Sequence, residues 1–378
     1  MYDQIREDIF YFMFYGGVIA MALMASCYLL FRRANAIAPD ITSPVRLRRW
    51  TAAFFMVFVL NHVWFLPTFF LTSSDDALMF YLVGVLLDCM TFFPLAIIVL
   101  LVMLQDRRRP LWPVAVMVTP LVVGMVLSVI NRSLTLLPIL SVYLLLMSIS
   151  LVIYMVRSLR QYGRWLRDNF ADLEHKEVWQ GFVVLAIMLL VFGIYALSDR
   201  GIVFEYVLQV AVVVLIYYLL WRVETLRDLS FSQPIFLDTS EESDAEGMTD
   251  AELSPIAQDK IGLLLQRHCI DTQFYLQNDL NILQLAKAIG TNRFYLSQYF
   301  SRQGTTYYAY INGLRIDHFI SLYRRAVAAK EHFTVKNLAQ DSGFRNYATF
   351  SNAFKQRMGK NVTAWIQEGD SEHQSSET

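Results

Sequence analysis

Seven apolar stretches fill the first 222 residues, and each is close to the ~20 residues that a helix needs to cross a bilayer core. Short polar loops separate them, and alternate loops are rich in arginine. The pattern therefore predicts a seven-helix transmembrane bundle over residues 1–222. The stretches are residues 9–31, 51–71, 78–104, 111–130, 136–156, 178–197 and 202–221.

The pattern changes after residue 222. Residues 223–255 have nine acids against one arginine, a net charge of −8, and few large apolar side chains, which predicts a flexible acidic linker. In residues 256–370 short apolar sets recur at helical spacing, which predicts a soluble helical domain. We expect residues 371–378 to form a disordered tail. The predicted fold class is all-α.

Composition supports this division. The chain is 56% hydrophobic and 17% charged, too apolar for an ordinary soluble protein. Its net charge of −1 hides a basic C-terminal domain, because residues 256–370 hold fourteen Lys and Arg against eight acids, a net of +6. A basic domain favours a polyanionic partner.

The loop charges predict an orientation. One set of loops carries fifteen basic residues and the other set only three, Arg6, Arg132 and Arg200. The positive-inside rule places the richer set in the cytoplasm, so the N-terminus is expected outside and the C-terminal domain inside. The fifteen are Arg32, Arg33, Arg46, Arg48, Arg49, Arg107, Arg108, Arg109, Arg157, Arg160, Arg164, Arg167, Lys176, Arg222 and Arg227.

Two copies of one short pattern lie 53 to 54 residues apart in the basic domain. A short helix, a glycine turn and a second capped helix are what a helix-turn-helix requires. We expect Gly290 to end the first helix of the first copy. Asn292, Thr334 and Asn346 are expected N-caps. The copies read Leu285-Ala286, Gly290, Asn292, Ser297, Phe300 and Leu338-Ala339, Gly343, Asn346, Ser351, Phe354.

The second helix of each copy should bury one face and present the other. Tyr295, Leu296, Tyr299 and Phe300 point inward at helical spacing, which leaves the opposite side available to a major groove. Between the copies, a helix of about 22 residues would be about 33 Å long, close to one turn of B-DNA. The predicted DNA-binding residues are Arg293, Phe294, Ser297, Gln298, Arg302, Arg345, Tyr347, Ala348, Ser351, Asn352 and Lys355.

Residues 258–367 closely resemble the C-terminal domain of the AraC/XylS family of transcription regulators. The resemblance implies two helix-turn-helix units joined by a long helix. It also implies groove contacts from Phe294, Ser297 and Gln298 in the first unit and from Tyr347, Ala348 and Asn352 in the second. After Gly359 the chain departs from the family pattern. The family's usual soluble sensor domain is replaced here by the apolar bundle, so the resemblance implies nothing about the effector. The matching residues are Leu285-Ala286, Gly290, Leu296, Phe300, Gly304, Tyr310-Ile311, Leu314-Arg315-Ile316, Gly343-Phe344, Phe350, Phe354-Lys355 and Gly359.

Four polar residues fall within the apolar stretches. Asn61, His62, Asp88 and Glu205 are a candidate membrane sensor site, because an ionisable group inside a membrane is a functional hypothesis by default. His62 and Asp88 lie at comparable depth and could pair. The other reading is an interhelical hydrogen bond that only holds the bundle together. Glu205 is expected near the outer surface, in contact with water.

No enzymatic activity, metal or cofactor is expected. The membrane half has only two histidines, His62 and His175, too few for a histidine-rich metal cluster. Its single lysine is Lys176, and neither a Ser-His-Asp set nor a phosphate loop is present. Residues 157–177 have arginines at helical spacing. They are either an amphipathic helix on anionic lipid or an extension of the fifth span.

These features predict a membrane-anchored, sequence-specific transcription regulator in the cytoplasmic membrane, with the bundle as a signal sensor. Its partners would be double-stranded DNA and the lipid bilayer. RNA polymerase, an unknown signal ligand or membrane partner, and a second copy in a homodimer are further candidates. Two alternatives stay open. One is a seven-span receptor or transporter with a secondary regulatory domain, and the other is a constitutive regulator merely anchored to the membrane.

Overall fold

A computed structural model describes most of the chain, and its regular elements are helices. The described residues contain no strand, only one isolated antiparallel bridge between Phe170 and Asn281. The predicted all-α class is confirmed. The described ranges are 8–71, 74–183, 202–229 and 255–368.

The chain divides into two compact units. Unit 1 comprises Met1–Tyr162 and His175–Ser230, and unit 2 comprises Gly163–Glu174 and Phe231–Thr378. The division does not follow the chain simply, because a twelve-residue piece between the two parts of unit 1 belongs to unit 2.

Unit 1 is a helix bundle. α1 packs against α2 and α7, α2 packs against α4, and α3 packs against α5. A 3₁₀ turn over Leu66–Phe69 follows α2. The helices among the described residues of this unit are α1 (Ile9–Phe31), α2 (Val45–Phe65), α3 (Ser74–Met90), α4 (Phe92–Met103), α5 (Trp112–Ile130), α6 (Leu137–Asn169, which continues into unit 2) and α7 (Ile202–Thr225).

Among the described residues, five stretches are long and apolar enough to cross a membrane. The predicted count of seven is thus not confirmed. The second predicted span corresponds to α2, which starts earlier than expected and carries Arg46, Arg48 and Arg49 in its first turns. The sixth, 178–197, lies mostly outside the described residues. The five are Ile9–Phe31, Asp75–Met103, Trp112–Ile130, Leu137–Asn169 and Glu205–Thr225.

The outer surface of this bundle is apolar. Phe10 is 78% exposed and Phe31 82%, and large aliphatic side chains such as Ile130 and Val203 are also exposed. The interior is apolar as well, with Leu82 and other side chains of α3, α5 and α6 in one cluster. A helix that is apolar on every side is typical of a membrane span or of the core of a large protein.

The start of the predicted linker is folded instead. α7 continues to Thr225, and Val223, Leu226 and Leu229 are buried in unit 1. The carboxylate of Glu224 accepts hydrogen bonds from the main-chain N–H of Ala36 (3.1 Å) and Ile37 (2.8 Å) and from the hydroxyl of Tyr28. Apolar burial and this buried acceptor fix residues 223–229, although their sequence was assigned to the acidic linker.

α6 is longer than the fifth predicted span. It continues without interruption to Asn169, so the arginines of 157–167 lie on an extension of that span, as the second of the two readings proposed. The residues that follow, up to Glu174, turn and pack within unit 2.

Unit 2 has two apolar cores, one for each half of the domain. The first is built from residues of α8 to α11, with Ala171 included, and the second from residues of α11 to α14. α11 contributes to both cores. The helices are α8 (Pro255–Leu265), α9 (Ile282–Ala288), α10 (Arg293–Arg302), α11 (Tyr307–Ala328), α12 (Val335–Asp341), α13 (Tyr347–Met358) and α14 (residues 362–368).

Candidate nucleic-acid interface

The turns between α9 and α10 and between α12 and α13 have the same geometry. Gly290 (φ +72°) and Gly343 (φ +87°) both occupy the left-handed region that glycine adopts without steric cost. The Thr291 N–H donates to the carbonyl of Ala286 (2.9 Å). In the second turn the Phe344 N–H donates to the equivalent carbonyl (3.1 Å). Each turn therefore closes its first helix with a Schellman-type bond.

The predicted N-caps are confirmed. The side-chain oxygen of Asn292 accepts from the N–H of Tyr295 (2.9 Å), and that of Asn346 accepts from the N–H of Thr349 (2.8 Å). Thr334 caps α12 in the same way. Both recognition helices, α10 and α13, start on an asparagine cap, which lies two residues after Gly290 in the first unit and three residues after Gly343 in the second. Their N-termini are therefore similarly defined.

Each recognition helix buries one face, as the spacing of its apolar residues predicts. Leu296 and Phe300 of α10 are buried in the first core. Phe350 and Phe354 of α13 are buried in the second core, and Phe319 of α11 packs against both rings at centroid distances of 4.5 and 5.9 Å. The opposite faces are left accessible.

None of the eleven predicted DNA-binding residues is buried. All of them lie on α10 or α13, except Arg345, which immediately precedes the cap of α13. Phe294 is 65% exposed and Tyr347 is 40% exposed, and Asn352 is exposed as well. Gln298 is less accessible than its spacing suggested. It is half-buried, and its Oε1 atom is buried without a hydrogen-bond partner among the described residues.

The two arginines at the N-terminal ends of the recognition helices have different neighbours. Arg293 is half-buried, and burial lowers its pKa, an effect that the nearby carboxylate of Asp168 opposes. Arg345 is exposed and forms an ion pair with Asp279, with 3.2 Å between Nη1 and Oδ2. In known helix-turn-helix proteins this end of the second helix enters the major groove.

Arg315 is a structural residue that the sequence reasoning treated only as part of a motif. It is buried, and its guanidinium donates from Nε to the carbonyl of Tyr275 (2.7 Å) and from Nη2 to that of Gln277 (2.6 Å). The same group lies 5.7 Å from the ring centre of Phe344. One side chain of α11 thus contacts residues that precede the first helix-turn-helix unit and a residue of the second. An arginine within the apolar Leu314–Ile316 run was the available signal.

The candidate membrane site separates into two groups rather than one. Asp88 accepts a hydrogen bond from Asn61 (2.7 Å), and His62 does not pair with it. The ring of His62 contacts the carbonyl of Phe58 through Nδ1 (2.7 Å) and Gln209 through Nε2 (3.0 Å). His62 and Asp88 therefore project from α2 and α3 toward different neighbours, which corrects the expectation that they could pair.

Glu205 is buried, contrary to the expectation that it is in contact with water. Its carboxylate interacts electrostatically with Tyr11 and Tyr15 of α1. The hydroxyl of Tyr15 also donates to the carbonyl of His62 (2.7 Å), so the polar cluster joins α1, α2 and α7. Sequence reasoning missed the two tyrosines because tyrosine is common in apolar helices.

No group of three or more His, Cys, Asp or Glu side chains that could hold a metal ion occurs in the described part of the chain. Neither the curated proteins nor the solved structures include a significant match to this chain. Residues 285–368 match a family model described as a helix-turn-helix domain. The match, of AraC type, covers α9 to α14 and implies a DNA-binding transcription regulator.

Proposed function

We propose that the protein is a membrane-anchored transcription regulator that reads one DNA site with both of its helix-turn-helix units. The proposal rests mainly on one observation: the same helix-turn-helix unit occurs twice, at α9–α10 and at α12–α13. Each copy has a glycine turn, an asparagine cap and a recognition helix with one buried face. α11 has 22 residues. A helix of that length is about 33 Å long, near the repeat of B-DNA, which suits two successive major grooves.

Chromatin immunoprecipitation of the full-length protein tests this function. We expect enrichment at discrete promoter sites that contain two short motifs about 10 base pairs apart. Asn352→Ala, which removes an exposed side chain of α13, should reduce that enrichment while the protein stays abundant. Uniform, sequence-independent enrichment would contradict specific reading. Substrate flux into proteoliposomes, with no enriched sites, would instead support the transporter alternative.

Anchoring of unit 1 in the cytoplasmic membrane is the second part of the proposal. It is supported by the exposed apolar side chains of the bundle and by the fifteen-to-three asymmetry of basic loop residues. We place the N-terminus outside and unit 2 in the cytoplasm, and we retain seven spans as the proposed number. α2 and the stretch 178–197 would supply the two spans beyond the five that length and composition identify.

Reporter fusions test the span count and the orientation separately. Fusions after residues 75, 132 and 200 should report the outside, and fusions after residues 40, 108, 168 and 240 the cytoplasm. An inside signal at residue 75 or residue 200 would reduce the number of spans. A complete reversal of all seven signals would keep the count and overturn the orientation.

Signal sensing is the third part, and we assign it to the polar cluster around His62. This cluster links α1, α2 and α7 by side-chain hydrogen bonds, and α7 is the helix that leads along the chain toward unit 2. A change in these bonds would alter how α7 packs. Gln209→Leu keeps the volume of the side chain and removes its amide. We expect it to make target-gene expression independent of growth conditions. Unchanged regulation in Gln209→Leu would leave the cluster as a purely structural contact.

A further inference from the structure

A short segment from between two membrane helices is built into the DNA-binding unit. Residues 163–174, here called the latch, lie in sequence between the two parts of unit 1, yet they group with unit 2. Phe170, Ala171 and Asp172 of the latch are buried, and Ala171 is 0% exposed within the first core. These residues are therefore packed in the domain and are not a solvated connecting loop.

Main-chain pairing holds the centre of the latch. The N–H of Ala171 donates to the carbonyl of Leu280 (3.2 Å), and Phe170 and Asn281 form an antiparallel bridge. From α11, Nδ2 of Asn312 donates to the carbonyl of Ala171 (2.8 Å), and this bond is buried. The main-chain N–H and C=O of Ala171 thus both have hydrogen-bond partners in unit 2. Breaking either bond while the site stays buried would leave a polar group without a partner, which costs free energy.

Charge complementarity accompanies this pairing. The buried carboxylate of Asp172 interacts electrostatically with the buried guanidinium of Arg315. One helical turn earlier, the exposed carboxylate of Asp168 interacts electrostatically with Arg293, at the start of recognition helix α10. Arg164 and Arg167 of the latch also interact electrostatically with Asp168. Two acids of the latch therefore interact with two arginines of unit 2, and one of these arginines, Arg293, is a predicted DNA contact.

We propose that the latch is an autoinhibitory contact: while Phe170 and Ala171 stay paired with Leu280, Asn281 and Asn312, the negative charge of Asp168 competes with DNA phosphate for Arg293, and this competition ends when the latch is withdrawn from the first helix-turn-helix unit. The N-terminal end of a recognition helix is the end that meets the base edges and phosphates of the groove. A carboxylate there competes with phosphate for the arginine and repels the phosphate backbone. Because the latch is covalently joined to unit 1 on both sides, a change in unit 1 can withdraw it. The inference rests on the DNA-binding function proposed above.

Two substitutions weaken the latch in different ways, and a third is the control. Asp168→Asn removes the carboxylate that faces Arg293. Asn312→Asp removes the donor to Ala171 but keeps the oxygen that accepts from Nη1 of Arg315 (3.3 Å). Asp341→Asn makes the same charge change as Asp168→Asn at an exposed position of α12, so it measures the general gain in DNA affinity from losing one negative charge.

The full-length protein in lipid nanodiscs is titrated with a labelled random-sequence duplex of about 30 base pairs at low and high salt. We expect Asp168→Asn and Asn312→Asp to bind about threefold more tightly or better at low salt, the order expected when one arginine regains a phosphate. Asp341→Asn should gain clearly less, and the differences should shrink at high salt. Hydrogen exchange at the amide of Ala171 should accelerate in Asn312→Asp, and in the wild type when DNA is added.

Several outcomes would contradict the proposed autoinhibitory role of the latch. Equal gains in DNA affinity by Asp168→Asn and Asp341→Asn would show that the effect comes from net charge alone. Binding by a folded Asn312→Asp protein that is weaker by more than one added negative charge explains, judged from the size of the Asp341→Asn effect, would make the segment part of the DNA-binding surface. Protection of Ala171 that DNA leaves unchanged would make the contact purely structural. In each case wild-type binding to DNA would stand, whereas absence of salt-dependent binding in every variant would contradict the proposed function as well.

Discussion

In the first helix-turn-helix unit, Gly290 turns the chain where an added Cβ would meet no described atom within 4 Å. In the second, a Cβ at Gly343 would lie 2.7 Å from the carbonyl oxygen of Leu276 and 2.8 Å from its Cα. The two turns have the same backbone geometry and the same closing hydrogen bond. Gly290 is therefore required only by its local backbone conformation. Gly343 is required by the same conformation and also by the close approach of Leu276.

The charged residues differ in the same way. Arg345 of the second unit pairs with Asp279, which lies near Leu276 ahead of the first unit, and Arg315 donates to carbonyls of that same stretch. Arg293 of the first unit instead interacts electrostatically with Asp168 of the latch. The second recognition helix is thus positioned by the rest of the DNA-binding unit. The first interacts electrostatically with a segment that continues along the chain into unit 1, and the proposed autoinhibition acts on this helix.

We expect the two units to differ most in the stability that each loses when its turn glycine is replaced by alanine. Gly290→Ala should cost about 1 kcal/mol, the strain of a left-handed alanine. Gly343→Ala should cost about 3 kcal/mol or more, because the same strain adds to a clash with main-chain atoms that have little room to move. Hydrogen exchange at the amides of Thr291 and Phe344 measures local stability in each unit. Equal losses of stability at the two sites would show that the main chain of residues 276–279 shifts to accommodate the added Cβ at little cost.

The loss of binding free energy from removing a side chain that contacts bases should be smaller than the loss of stability from Gly343→Ala. Gln298→Ala and Asn352→Ala should each weaken binding to a selected specific duplex by ~1–3 kcal/mol, because short amide side chains suit adenine edges. Binding to random duplex DNA should change little. Competition titrations on the two duplexes measure the difference. An equal loss on both would mean that these side chains contact only phosphate.

The smallest expected effects are equal in the two units. Asn292→Ala and Asn346→Ala each remove one cap hydrogen bond of almost the same length, so each should cost about 1 kcal/mol of helix stability. Replacement by Ser or Asp should restore most of the loss, since either side chain can accept the same N–H. A cost at Asn346 that is several-fold larger would indicate that the cap also supports the contact between Arg345 and Asp279.

Features set by neighbouring residues could be predicted from the sequence. The caps at Asn292, Thr334 and Asn346, the turn at Gly290 and the inward faces of α10 and α13 all follow from spacing within ten residues. The length of α11 follows from its apolar repeat. Asn361 caps the last helix in the same way, since its side chain accepts from the N–H of Ala364 (2.8 Å).

Features set by distant residues could not be predicted. Asn312 bonds to Ala171 across 141 positions, and His62 bonds to Gln209 across 147. No local pattern marks either partner, which is why the latch was assigned to a cytoplasmic loop and His62 was expected beside Asp88. Glu224 was counted among linker acids for the same reason, because its amide partners, such as Ile37, precede it by 187 positions.

Hydroxyl-radical footprinting of the full-length protein on a selected duplex tests most directly whether both units read DNA. The account predicts two protected patches about 10 base pairs apart on one face of the duplex. Gln298→Ala should weaken the patch of the first unit, and Asn352→Ala that of the second. A single patch that responds to only one of these substitutions would contradict reading by both units and would leave the other unit as a structural repeat.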